Sequence, residues 1–163
     1  MFLNTELVMK ILPHRDPFLF IDSVESVKIP TRDMAPGEVL DIKGIIDSEV
    51  VAHYRTKKDH AIFKGHFPDF PILPGVVQVE MMAQSTSFVV YLLHVDPTKM
   101  KMDVALLSIT EAKFRKPILP EMDLKIVTKL LKVRGPIITS KCKIYHDEQL
   151  MSEATVMASL KMI

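Results

Sequence analysis

The longest hydrophobic segment of the chain runs from Gly75 to Leu93 and predicts one central helix. Its apolar side chains fall on every side of a helical projection, which is typical of a helix buried in protein or in a membrane. A bilayer span needs about 20 mainly apolar residues and tolerates a carboxylate poorly. Because Glu80 and Gln84 lie within this segment, we interpret it as the buried helix of a soluble domain.

The stretch before this helix, Lys64 to Pro74, is predicted to be an irregular loop. It contains Pro68, Pro71 and Pro74, and each proline removes a backbone donor and restricts the residue before it. The loop carries His66 and leads directly into the helix that carries Glu80. These two residues are therefore expected to lie near each other.

Hydrophobic residues elsewhere in the chain follow a β pattern. A short helix is predicted from residue 4 or 5 to 11, followed by strands at 18–29 and at 38–54, the second bent at Gly44. Beyond the helix, apolar and polar residues alternate in four segments, which is typical of strands with one wet face. These segments are 102–114, 124–130, 141–145 and 153–160. The pattern predicts one α+β domain, 1–163, in which an antiparallel sheet curls around the helix.

Composition limits the classes of function. The chain has 21 Lys and Arg against 20 Asp and Glu, so its net charge of +1 gives no reason to expect binding to nucleic acid or to an anionic membrane. One cysteine, Cys142, excludes an intrachain disulfide and fits a reducing compartment. The first residues lack the pattern of a signal peptide. We expect a soluble, cytoplasmic protein.

Three groups in the central stretch suggest acid–base chemistry at a carbonyl compound. His66 can exchange a proton near neutral pH. Glu80 lies in an apolar helix, where burial is expected to raise its pKa so that it holds a proton to donate. The Gly75 amide stands at the positive end of the helix and can polarise a carbonyl oxygen. Together they suit proton abstraction next to a carbonyl, with loss of a group one carbon further on.

Neighbouring polar residues admit more than one role. Gln84 lies one turn after Glu80 and either bonds to Glu80 and the site or satisfies a loop backbone group. His14 and Arg15 stand between two prolines, and we interpret them as holding a turn or a subunit contact rather than as catalytic.

Two other kinds of site are weaker hypotheses. Metal binding would use a group of His and Asp residues whose spacing fits no strong zinc signature, so no metal is expected. The members of that group are Asp59, His60, His66 and Asp69. Cys142 alternates into the apolar face of a strand, which favours a core position over a nucleophile.

The central motif resembles that of the FabZ-type 3-hydroxyacyl-[acyl-carrier-protein] dehydratases. The matching residues are Gly65-His66-Phe67-Pro68, Pro71, Pro74-Gly75-Val76, Glu80 and Ala83-Gln84. Leu12-Pro-His-Arg with Pro17-Phe18-Leu19, and Lys113-Phe-Arg-Lys-Pro117 with Pro120, resemble further family motifs. The resemblance covers nearly the whole chain.

The resemblance implies a hot-dog fold and a reaction. The reaction is elimination of water from a (3R)-3-hydroxyacyl thioester, giving a trans-2-enoyl thioester during fatty acid biosynthesis. His66 would act as the base at C2, Glu80 would assist departure of the hydroxyl, and the Gly75 amide would bind the thioester carbonyl. The supporting residues would be Phe67, Pro74 and Gln84.

The resemblance also implies partners. In the family, the His and Glu of one site come from different subunits of a homodimer, and three such dimers often assemble into a trimer of dimers. No metal or redox cofactor is implied. The acyl carrier protein is acidic, which makes a set of basic residues candidates for docking it. These are Lys57, Lys58, Lys113, Arg115 and Lys116.

Some positions depart from the family pattern. Asp69-Phe70 replaces a small pair between two prolines, and Ser108 stands where the family often has Gly. The related FabA-type enzymes, which also isomerise the double bond, usually carry Asp where this chain has Glu80, so dehydration without efficient isomerisation is expected. The alternatives are a hot-dog acyl thioesterase and a non-catalytic acyl-binding subunit.

Overall fold

A six-stranded antiparallel sheet wraps around a helix in the computed structural model, which describes residues 3–163. The first two residues of the predicted domain lie outside the described residues. Along the chain the elements are α1 (Thr5–Ile11), β1 (Ser23–Lys28), β2 (Glu49–Arg55), α2 (Ile62–Gly65), α3 (Gly75–Thr86), β3 (Met102–Phe114), β4 (Asp123–Arg134), β5 (Ile137–His146) and β6 (Gln149–Met162). In space the strands follow the order β1-β2-β4-β5-β6-β3. The predicted α+β architecture is confirmed.

Strands β4, β5 and β6, in the second half of the chain, form one side of the hydrophobic core. Every second residue is buried over 124–130 of β4, 138–144 of β5 and 152–158 of β6, while the Lys residues between them face outward. The largest of these buried side chains are Leu124, Ile126 and Ile144. Tight turns link the strands, and Gly135 supplies the positive φ of 58° needed between β4 and β5.

Helix α3 lies against the concave face of the sheet. Its Met81 and Met82 side chains are fully buried, and so is Phe88, which follows the end of the helix. Cys142 lies beneath it, 3.9 Å from the Met82 carbonyl, and burial raises the pKa of its thiol to about 12. The prediction that Cys142 is a core residue is confirmed. No helix in the described part of the chain is long and apolar enough to cross a bilayer.

The predicted helix of 75–93 is regular only to Thr86, and Ser87–Leu92 continues as a 3₁₀ helix. The hydroxyls of Ser85 and Thr86 donate to the carbonyls of Met82 and Ala83, at 2.7 Å each. Such back-bonding competes with the regular α-helical pattern and accompanies the tightening of the helix here.

The two strands before α3 are shorter than predicted. β1 begins at Ser23 rather than at residue 18, because the backbone groups of Phe18 and Phe20 bond to the Gln84 side chain instead of a strand. β2 begins at Glu49 rather than at residue 38, since turns occupy the preceding segment, including one closed by Asp41 on Gly44. The predicted loop also starts later, because Lys64 and Gly65 end the short helix α2.

Candidate active site

An apolar groove of about 490 Å³ lies between the first turns of α3 and the face of β3. His66, Gly75 and Glu80 all line it, together with Pro74 and the aromatic ring of Phe114. The structure therefore brings the three predicted chemical groups to one surface of a single protomer.

His66 is held by the proline-rich loop in one tautomer. Its Nδ1 lies 2.9 Å from the Ile72 carbonyl oxygen, which can only accept, so Nδ1 carries the hydrogen. The Ile72 amide in turn donates to the His66 carbonyl at 2.8 Å, and the imidazole stacks on Phe67 with ring centres 4.1 Å apart. Within residues 3–163, nothing bonds to Nε2, whose lone pair is free to accept a proton.

The carboxylate of Glu80 is fixed through one oxygen. Gln84 Nε2 donates to Oε1 at 2.9 Å, and His14 Nε2 lies 3.3 Å from the same atom. Hydrogen bonding to His14 is the largest influence on the Glu80 pKa; with the bond from Gln84 it outweighs burial and lowers that pKa. The expected raised pKa was wrong in direction, and Glu80 is ionised at neutral pH.

Gln84 fills both roles that the sequence left open. Its Oε1 accepts from the Phe20 amide at 2.9 Å, and its Nε2 donates to the Phe18 carbonyl and to Glu80. The side chain is 2% exposed and ties the segment before β1 to the helix. Because Gln84 also bonds to Glu80, the position of the Glu80 side chain depends on how this segment packs against the helix.

The start of α3 presents an unpaired amide. Pro74 precedes the helix, and its carbonyl accepts from the amides of Val77 and Gln78 at 3.1 Å. Within residues 3–163 no acceptor bonds to the Gly75 amide, as expected for the first residue of a helix. The Phe114 ring lies over Gly75 so closely that a Cβ built there would be 2.9 Å from it.

Gly75→Ala is expected to destabilise the protein by about 1 kcal/mol, the low end of the usual cost of overpacking. The new methyl meets the tip of the Phe114 ring, but that ring is half exposed and can partly move aside. Thermal unfolding measures this loss. The matched control is Gly65→Ala, whose Cβ would meet nothing within 4 Å, and it should unfold near the wild-type temperature. Equal unfolding temperatures for the two variants would contradict the close approach.

The predicted docking residues do not form one cluster. Arg115 and Lys116 border a neighbouring pocket that shares His66, Gly75 and Phe114 with the groove, and Arg115 also pairs with Glu153 at 3.1 Å. Lys58 lies beside Pro68 and Pro71, on another face of the loop. The remaining two, Lys57 and Lys113, are exposed.

The two histidines weighed for a metal site, His60 and His66, bond to the backbone instead. His60 Nε2 lies 2.9 Å from the Pro17 carbonyl, and its Nδ1 accepts from the Ile62 amide at 3.1 Å. Across residues 3–163, no group of three or more His, Cys, Asp or Glu side chains is arranged to hold a metal ion.

One site residue was misinterpreted from the sequence. Arg15 does hold its turn, by donating to the carbonyls of Met9, Leu12 and His14. His14, in contrast, points its ring at Glu80. The neighbouring prolines signalled a rigid turn, but no local pattern could show a contact with a distant helix.

Comparison with known proteins identifies the family. A family model described as ApeI-like, ApeI dehydratase, matches residues 43–154. The 3-hydroxyacyl-[acyl-carrier-protein] dehydratase FabZ of Geotalea uraniireducens is 35% identical over 93% of this chain and 92% of its own. The FabZ of Solibacter usitatus is 33% identical over 97% of this chain and 85% of its own. This chain belongs to the FabZ-type dehydratase family. The resemblance drawn from the sequence is confirmed.

Solved structures agree on the fold of this dehydratase family member. The ApeI:P dehydratase heterocomplex from Xenorhabdus doucetiae matches with a TM-score of 0.62 over 94% of this chain and 90% of that one, at 16% identity. The fluoroacetyl-CoA thioesterase FlK matches with a TM-score of 0.58 over 71% of this chain and 87% of that one, at 8% identity. At these identities the likeness shows the hot-dog fold alone, and that prediction is confirmed.

Proposed function

We propose that this protein eliminates water from (3R)-3-hydroxyacyl thioesters of acyl carrier protein, forming trans-2-enoyl thioesters in fatty acid biosynthesis. The carrying observation is that three groups of residues 3–163 face one open apolar groove: an imidazole whose Nε2 is free, an ionised carboxylate and an unpaired helix amide. A second copy of the chain over this groove can place its own His66 and Glu80 opposite them. The family membership supports the same reaction.

Each group has its own task in the reaction. The Gly75 amide donates to the thioester carbonyl, which stabilises negative charge as the C2 proton leaves. His66 Nε2 takes that proton. The free oxygen of Glu80 accepts a hydrogen bond from the 3-hydroxyl and orients the C3–O bond, a role that suits an ionised carboxylate better than proton storage. The imidazolium of His66 then gives this proton to the departing hydroxide as the C3–O bond breaks, so water leaves and both side chains return to their starting protonation states.

A second copy of the chain would close the groove. β3 is an edge strand of 13 residues that pairs only with β6 among the described strands. Exposed apolar side chains cover its face and the start of α3; they are Val76, Leu106, Leu107, Ile109 and Phe114. A long apolar edge is normally covered by a partner. We propose a homodimer in which each active site contains His66 from one subunit and Glu80 from the other, with trimers of dimers as the larger assembly.

The carrier protein would approach from the neighbouring pocket that shares His66 and Gly75 with the groove. Arg115 and Lys116 border it beside His66, and an acidic partner would be steered toward them by charge complementarity. Lys57, Lys58 and Lys113 would contribute from the surrounding surface. A cytoplasmic location is also part of the proposal; its support is the single cysteine, Cys142, which fits a reducing compartment.

The test is to incubate the purified protein with 3-hydroxyacyl-carrier thioesters of several chain lengths and to follow the products by mass spectrometry. The expected product is the enoyl thioester, still attached to the carrier, with little isomerised double bond. Release of free hydroxy acid would instead establish a thioesterase. Binding without turnover would establish an acyl-binding subunit and would overturn the proposal.

A further inference from the structure

His14 differs from three of the other histidines that contact the protein. His60, His66 and His146 each direct a ring nitrogen at a backbone carbonyl, 2.9 Å away in all three cases. The only polar contact of the His14 ring within residues 3–163 is with Glu80 Oε1. Its Nδ1 is buried and has no partner in that part of the chain.

A buried polar atom without a partner costs free energy, and such atoms in native structures call for an explanation. Here the ring borders a small cavity of about 170 Å³, which it shares with Glu80, Gln84 and Ser87. The ring is therefore not placed to satisfy the fold. It is placed against the carboxylate.

The backbone around His14 makes this placement rigid. Arg15 Nη1 donates to the His14 carbonyl at 2.6 Å and to the Leu12 carbonyl at 2.9 Å, while its Nη2 reaches the Met9 carbonyl at 3.1 Å. The turn is thus anchored to the end of α1, and the ring stacks beside Phe18 with centroids 6.4 Å apart. Gln84 donates to the Phe18 carbonyl, so the side chains of His14 and Gln84 are held in place by the same segment of the chain and form one unit.

Both members of this unit hold the same carboxylate oxygen. Gln84 Nε2 lies 2.9 Å from Oε1, and His14 Nε2 lies 3.3 Å from it, at the long end of hydrogen-bonding distance. Within residues 3–163, no donor reaches Oε2. A carboxylate fixed through one oxygen in this way can present its other oxygen to a ligand in the groove.

We propose that His14 is a positioning residue that, with Gln84, fixes Glu80 Oε1 and so directs Oε2 at the substrate 3-hydroxyl. This inference rests on the proposed dehydratase activity. The imidazole touches neither the substrate nor a reacting atom, and it acts only through Glu80.

The test compares two replacements of His14 in the full-length protein. Gln carries its amide nitrogen as far from the backbone as imidazole Nε2, so His14→Gln keeps the donor. His14→Phe keeps the ring and loses the donor. We expect His14→Phe to lower kcat by about 10- to 100-fold, as removal of an outer hydrogen-bonding partner does at other sites, with KM near wild type. His14→Gln should retain most of the wild-type kcat.

The pH profile gives a readout that a purely structural role would not move. The titratable side chains that share a cavity with Glu80 are His14 and His66. Loss of a donor to the carboxylate raises the pKa of Glu80. Both His66 and Glu80 must be deprotonated for the proposed reaction, so the acidic limb of kcat/KM contains two steps. The step that belongs to Glu80 should shift to higher pH in His14→Phe and stay in place in His14→Gln. NMR titration of the Glu80 carboxyl carbon should show the same shift without any substrate.

A matched control is available in β1 and β2. His53 Nε2 lies 2.7 Å from Glu25 Oε2 on the exposed face of the sheet, so His53→Phe removes a similar pair outside the groove. It should change neither kcat nor the pH profile. If His14→Phe does not fold, His14→Asn replaces it, because the Asn amide reaches only the position of Nδ1.

Two results would overturn the inference. One is a His14→Phe enzyme with wild-type kcat and an unmoved acidic limb. The other is an equal loss of kcat in His14→Gln and His14→Phe, which would show that the ring matters and the donor does not. A wild-type protein without dehydratase activity would overturn the proposed function itself, whereas the NMR titration would still measure the effect of His14 on Glu80.

Discussion

Replacement of His66 by Ala is expected to lower kcat for dehydration by about 100- to 10,000-fold, the usual contribution of a positioned general base. Glu80→Gln should cause a loss in the same range, because the neutral amide keeps the shape of the side chain but lacks the negative charge that strengthens the hydrogen bond from the 3-hydroxyl. Steady-state assays on an acyl-carrier substrate measure both losses.

The control for this prediction is His146→Ala. His146 ends β5 and bonds to the Asp123 carbonyl, outside the groove, so its removal should leave kcat unchanged. The two site variants should also unfold near the wild-type temperature, since neither side chain belongs to the buried core. Wild-type turnover in the His66→Ala protein would show that His66 is not the base.

A mixture of the two inactive variants is expected to recover activity. If each site takes His66 from one subunit and Glu80 from the other, a mixed dimer contains one site in which both residues are intact. After subunit exchange at equal concentrations, about half of the dimers are mixed, so about a quarter of wild-type activity should return. Turnover is measured before and after exchange, with native mass spectrometry to count mixed dimers.

The matched control pairs each single variant with the double variant His66→Ala/Glu80→Gln, a mixture in which no arrangement restores a complete site. It should stay inactive. Absence of recovery in a sample that contains mixed dimers would show that each site draws both residues from one protomer. A protein that remains monomeric would contradict the proposed closure of the groove.

The parts of the fold that rest on local patterns could be predicted from the sequence. Alternation at Leu124, Ile126 and Leu130 fixes which face of β4 is buried, because side chains on a strand point to opposite faces in turn. The apolar run after Pro74 predicts a buried helix for the same kind of reason. The motif around His66 and Glu80 was sufficient to predict that His66, Gly75 and Glu80 lie together, but not that residues of β3 form the other side of the groove.

The parts that rest on distant contacts could not be predicted. The pKa of Glu80 was expected to rise because the apolar helix around it predicts burial, whereas the contact with His14 has no local signal in the sequence. His14, far away along the chain, reverses that direction. Likewise, the segment 18–22 reads as a strand, yet the Gln84 side chain takes its backbone hydrogen bonds. A tertiary partner overrides the local β preference in that segment.

The most direct test of the account uses a 3-hydroxyacyl-carrier thioester with both hydrogens at C2 replaced by deuterium. Elimination through a base at C2 predicts an enoyl thioester, still on the carrier, that has lost one deuterium together with the hydroxyl, and no such product from His66→Ala. Mass spectrometry of the intact carrier reads both features at once. A free hydroxy acid that keeps both deuterium atoms would contradict the account and identify hydrolysis as the reaction.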